Sequence, residues 1–209
     1  MIGTFVILIF SAIVHEVSHG LVAEQLGDDT AREEGRITLN PVSHIDPYGT
    51  LLLPLVMWVA TGGRFFFGSA KPVPVNFNHL KNPRLGMFLV SLSGPLSNFL
   101  LAAVMVIPIR LGLTNQISYP FLLLGIYINL LLGTFNLIPI PPLDGSKVIA
   151  SVLPARWANW LLSLEKYGFL LVLVFVLLNW FGYVLFPVVT GFWRVTGLSL
   201  ADLFAVLSR

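Results

Sequence analysis

Four stretches of the chain, residues 2–26, 85–111, 119–138 and 167–186, are almost continuously apolar. At a rise of about 1.5 Å per residue, each is long enough to cross a hydrocarbon core about 30 Å thick. A water-soluble fold has no place for four such blocks. Charge agrees: Asp, Glu, Lys and Arg make up only 11% of the 209 residues, against about 25% in a soluble domain. The sequence therefore predicts an all-α polytopic membrane protein with about 4–6 transmembrane helices. We read residues 1–209 as a single integral membrane domain, with core motifs in 11–150 and C-terminal helices in 157–209. A formal net charge of +2 and the absence of a basic run exclude nucleic acid as a partner. With no cysteine there is no disulfide, thiolate ligand or thiol nucleophile, so any metal must be held by His and carboxylate.

The first block is interrupted by His15, Glu16, His19 and Glu24. A signal peptide would carry a basic n-region and a small-residue cleavage site, and neither is visible. Residues 50–60 form a shorter apolar run containing Pro54, about half a span, which predicts a re-entrant or interfacial segment. Residues 36–39 alternate like a strand, and Lys71-Pro-Val-Pro-Val75 reads as an extended edge segment. Together they predict a small membrane-associated β segment between the first and second core helices. Pro139, Pro141 and Pro142 stop the third span. The stretch to Lys166 is expected to hold a short helix and an interfacial one, and Trp180 and Tyr183 suit an interfacial belt. Residues 187–209 fit either a fifth crossing or an amphipathic surface helix.

Basic residues orient this layout. Arg32, Arg36, Arg64, Lys71, Lys81, Arg84, Lys147, Arg156 and Lys166 fall in two loops on one side, against Arg110 and whatever the C-terminus contributes opposite. The positive-inside rule puts those loops in the cytoplasm, in what we expect to be the cell membrane.

The chemistry begins at His15-Glu-Val-Ser-His19, an H-E-x-x-H motif. Helical positions i and i+4 share a face, so both imidazoles can point at one ion. Glu16, turned about 100° away, can reach a water there without binding the ion itself. Ionisable groups in a span cost on the order of 2.5–3.5 kcal/mol each at mid-bilayer, which argues against a mere packing role. A catalytic zinc usually takes a third protein ligand. His44 and His79 lie in polar loops, and Asp28, Asp29, Glu33, Glu34 and Asp46 read as a solvated face. Asp144 stands at the end of an apolar span behind helix-breaking prolines, either as a ligand or as a helix cap. Asn98, behind Gly94-Pro95, fits a polar contact with the site and an interhelical hydrogen bond equally well.

His15-Glu-Val-Ser-His19, Gly94-Pro-Leu-Ser-Asn98 and the run from Asn136 to Asp144-Gly145 occur in the order seen in the site-2 protease family of intramembrane zinc metalloproteases, which the chain resembles over about residues 11–150. The resemblance implies one Zn2+ per chain held by His15, His19 and Asp144, with Glu16 as general base. It also implies a carbonyl-polarising or substrate-positioning role for Asn136. His44 is a further candidate for a supporting role near the metal. The expected partners are the lipid bilayer and a membrane-protein substrate with a transmembrane segment, unwound and held by strand addition at 36–39 or 71–75. Oligomeric state is left open. PDZ and nucleotide-sensing domains, common in the family, find no room in this chain. A divalent-metal transporter is the rival reading, but repeated halves are not visible. A non-catalytic binding relative would not keep both base and ligands.

Overall fold

The computed structural model describes residues 2–46, 55, 59, 71–178 and 180–208. Helix α1 spans Ile2–Gln25, and the short α2 spans Thr30–Glu33. A 3-10 turn at Pro41–His44 follows. Helix α3, Pro83–Arg110, opens on a proline behind Asn82, whose side chain accepts the Leu85 N–H as an N-cap. Helix α4 is Ser118–Asn136, and α5 is Asp144–Val152. Helix α6, Ala155–Ser163, passes through a 3-10 turn at Leu164–Tyr167 into α7, Gly168–Leu177. Helices α8, Trp180–Thr196, and α9, Leu200–Leu207, follow.

Among the described residues, four stretches are long and apolar enough to cross a membrane: Gly3–Gln25, Pro83–Arg110, Ser118–Asn136 and Ala155–Leu177. The first three coincide with the expected blocks. The fourth is displaced. Expected at 167–186, it begins at Ala155 and ends at Leu177, taking in the stretch expected to be interfacial. Arg156, Glu165 and Lys166 look like loop charges in the sequence, yet no proline or glycine between Ala155 and Tyr167 stops the helix. Their side chains are exposed on it. Within residues 187–209, helix continues to Thr196 and resumes at Leu200.

The expected β segment is not found: no strand occurs among the described residues. The reason lies in hydrogen-bond partners. Pro72 and Pro74 have no N–H to give a ladder. The Lys71 and Pro72 carbonyls accept from the Arg36 guanidinium, and the Val73 N–H donates to Glu16. Side chains thus take the bonds that strand addition of a substrate at 71–73 would need. The predicted re-entrant run at 50–60 lies outside the described residues except Leu55 and Val59.

The main apolar core joins α3, α4, α8 and α9 through Ala102, Leu123, Ile126, Leu130, Trp193 and Leu203. Tyr119 donates to Asp202 at 2.6 Å, fastening α9 to the start of α4. The α1 and α3 ends also meet, where Lys81 N–H donates to the Leu26 carbonyl. The polar segments after α1 and after α4 therefore gather around the same end of the bundle.

Candidate metal centre

His15 and His19 lie one turn apart on the buried side of α1, 5% and 7% exposed. Their rings stand edge to face, with Nε2 atoms 3.1 Å apart. Asp144 arrives from a separate element. Leu143 is extended, and the chain turns into α5 at Asp144 itself. Gly145 permits that turn: a Cβ there would stand 2.2 Å from the Leu137 carbonyl oxygen. The turn brings Asp144 Oδ2 to 3.0 Å from His15 Nε2 and 3.2 Å from His19 Nε2.

The other nitrogen of each ring is tied down. His19 Nδ1 is 2.7 Å from the Val90 carbonyl, which can only accept, so the proton sits on Nδ1. His15 Nδ1 is 2.7 Å from Asn98 Oδ1. The Asn98 amide is itself oriented, since its Nδ2 donates to the Ser11 carbonyl and to Asn129 Oδ1. Asn129 then donates to Ser11 Oγ and the Gly125 carbonyl. Ser11, Asn98 and Asn129 are all fully buried. Both imidazoles therefore present an unprotonated Nε2 to the centre, the form a metal ligand needs.

Three lone-pair-bearing atoms facing one another at 3.0–3.2 Å are unfavourable without a positive centre. Ligands at zinc bond lengths and tetrahedral angles lie about 3.3 Å apart, close to this triangle. The residues fit the ion. Gly94 adds to the fit: a Cβ there would stand 2.5 Å from His19 Nε2 and 2.6 Å from His15 Nε2, crowding the ligand atoms. Pro95, lacking an N–H, opens the α3 ladder beside it.

Glu16 is half-buried, and its Oε2 accepts the Val73 N–H at 2.9 Å. Asn98 is brought into direct contact with His15. Asn136 ends α4, half-buried, and donates to the Leu132 carbonyl of its own helix at 3.1 Å. His44 is buried in its 3-10 turn with Nε2 on the Thr38 carbonyl. Neither Asn136 nor His44 bonds to the three-residue group. Sequence reasoning missed Asn129, an amide in an apolar span that its burial cost could have flagged. It also read Asp28 as solvated. Asp28 is fully buried, its carboxylate accepting from Thr30, the Asn76 N–H and His79.

Residues 110–179 match the family model described as Peptidase family M50. The chain is 38% identical to YwhC of Bacillus subtilis (strain 168), over 88% of this chain and 84% of that protein. It is 30% identical to Rip2 of Mycolicibacterium smegmatis (strain ATCC 700084 / mc(2)155), over 95% of this chain and 77% of the relative. MJ0392 of Methanocaldococcus jannaschii is 27% identical over 79% of this chain and 36% of its own longer sequence. All three are named as zinc metalloproteases. No solved structure matches the chain.

Proposed function

Because the chain belongs to peptidase family M50, the site-2 protease family, we propose that it hydrolyses peptide bonds in or near the transmembrane segments of membrane-protein substrates, the chemistry of regulated intramembrane proteolysis. One observation carries the reading. Two imidazole Nε2 atoms and a carboxylate oxygen converge, buried, on a helix apolar enough to span a bilayer.

His15, His19 and Asp144 would hold the zinc. When bound, zinc supplies positive charge that makes water acidic near neutral pH and polarises a carbonyl. Glu16 takes the proton of the attacking water and delivers it to the leaving amine. Its Oε2 is already engaged by Val73, which leaves Oε1 for that proton. Asn98 keeps His15 in the ligating tautomer. Asn136 serves the developing oxyanion once its amide leaves the Leu132 carbonyl. The substrate must unwind to expose a scissile amide. Basic residues orient the site toward the cytoplasm of the cell membrane: Arg32, Arg36, Lys71, Lys81, Arg84 and Lys147 lie in segments opposite Arg110. Arg156 and Lys166, within the stretch Ala155–Leu177, no longer count in that balance.

Glu16→Gln tests the reading. Purified in detergent, it should retain one zinc per chain while cleavage of a single-span substrate falls by about 100-fold or more. Full cleavage by this variant would remove the assignment. So would zinc flux into proteoliposomes by a wild-type chain that cuts nothing.

A further inference from the structure

We propose that Arg36 is a positioning residue for Glu16, acting through the single peptide unit between Pro72 and Val73. The inference rests on the role of Glu16 given above. Arg36 is 6% exposed, a cation buried among carbonyls. Its Nη2 donates to the Lys71 carbonyl at 2.7 Å and the Pro72 carbonyl at 3.1 Å, and its Nη1 donates to the Ser43 carbonyl. The Pro72 C=O and the Val73 N–H are opposite ends of one planar amide. That N–H is the one donating to Glu16 Oε2.

The relay has a direction. A guanidinium on the carbonyl draws charge through the amide and strengthens the N–H at its far end as a donor. It also fixes the plane of the amide, and hence the line along which the Glu16 carboxylate is held. No other backbone donor within 72–74 can substitute, because Pro72 and Pro74 have none.

The approach is built into α1. A Cβ on Gly20, one turn beyond Glu16, would meet Val73 Cγ1 at 3.0 Å, Ala31 Cβ at 3.2 Å and Ile37 Cγ1 at 3.3 Å. Glycine there lets the segment lie close enough for the Val73 N–H to reach the carboxylate. The Lys71 N–H on the His44 carbonyl, at 2.9 Å, anchors the segment's other end. One glutamate oxygen is thereby clamped, which leaves the other for the proton.

The test compares Val73→Pro with Val73→Ala. Both lose the valine side chain, but only proline deletes the N–H. We expect kcat to be about 10–100-fold lower in Val73→Pro than in Val73→Ala, with KM within about twofold and zinc at one per chain. Arg36→Gln should lower kcat in the same way, and Arg36→Lys should recover part of it by still donating to the carbonyls. A readout apart from activity is backbone amide exchange, which should accelerate at residues 71–75 in Glu16→Ala because the Val73 N–H loses its acceptor. Equal kcat for the two Val73 variants would overturn the proposal, whether or not the Arg36 variants fold. Unchanged exchange in Glu16→Ala would do so too. An active Glu16→Gln would instead remove the role of Glu16, so the two failures are distinguishable.

Discussion

A methyl group at position 94 has nowhere to go, since it would stand 2.5 Å from one imidazole nitrogen and 2.6 Å from the other. The backbone there belongs to α3, braced by its neighbours, so the imidazoles must yield. Gly94→Ala should therefore lower bound zinc well below one per chain and cut cleavage in proportion, as read by metal analysis and a fluorogenic substrate. Gly191→Ala is the control: open space surrounds it in α8, and alanine in a helix gains up to about 1 kcal/mol over glycine. The pairing of His15 with His19 is legible in sequence because i, i+4 spacing fixes a helical face. Asp144 is harder to read, 129 positions from His15, and enters through proline chemistry and family likeness. The space that Gly94 keeps clear is not legible, because it depends on which helix crosses α1. Nor does the sequence tell that Asn98 both holds His15 and bridges to Asn129.

At the scale of elements, the junction after α1 turns on Asp28. Burial alone would raise its carboxyl, but hydrogen bonds from Thr30, Asn76 and His79 outweigh that and hold it below the ordinary 3.8. A carboxyl with a depressed folded-state value stabilises the fold above its unfolded value and loses that contribution as pH falls through the folded one. Asp28→Asn should cost about 2 kcal/mol at pH 6, the scale for hydrogen bonds to a charged acceptor. The gap in Tm between wild type and variant should then close as pH is lowered past 3.8. A gap that persists undiminished at pH 2 contradicts this account. The same junction explains why the β expectation failed. Residues 37 and 38 bend instead of running on as a strand, and at 71–75 local pattern cannot tell whether a carbonyl will face a strand or a buried guanidinium.

For the molecule as a whole, three of four spans were readable because length and the absence of charge decide membrane crossing. The fourth starts earlier than its charges suggest, because nothing between Ala155 and Tyr167 breaks the helix at Arg156, Glu165 or Lys166. The chain's lack of cysteine makes its topology directly measurable. Single cysteines at Asn78 and Lys147 should react with an impermeant maleimide from the same side of sealed vesicles, and one at Asn115 from the other. Labelling of all three from one side would refute the arrangement of α3 and α4 as opposed crossings.

The cage of His15, His19 and Asp144 draws its parts from two distant places in the chain. During synthesis the ribosome must release the first helix, two further spans and the turn at Asp144 before the three donors can meet. A half-made chain, already among nascent neighbours in the membrane, therefore lacks its cutting edge. Until the segment carrying Asp144 is made, the two imidazoles stand without their carboxylate partner.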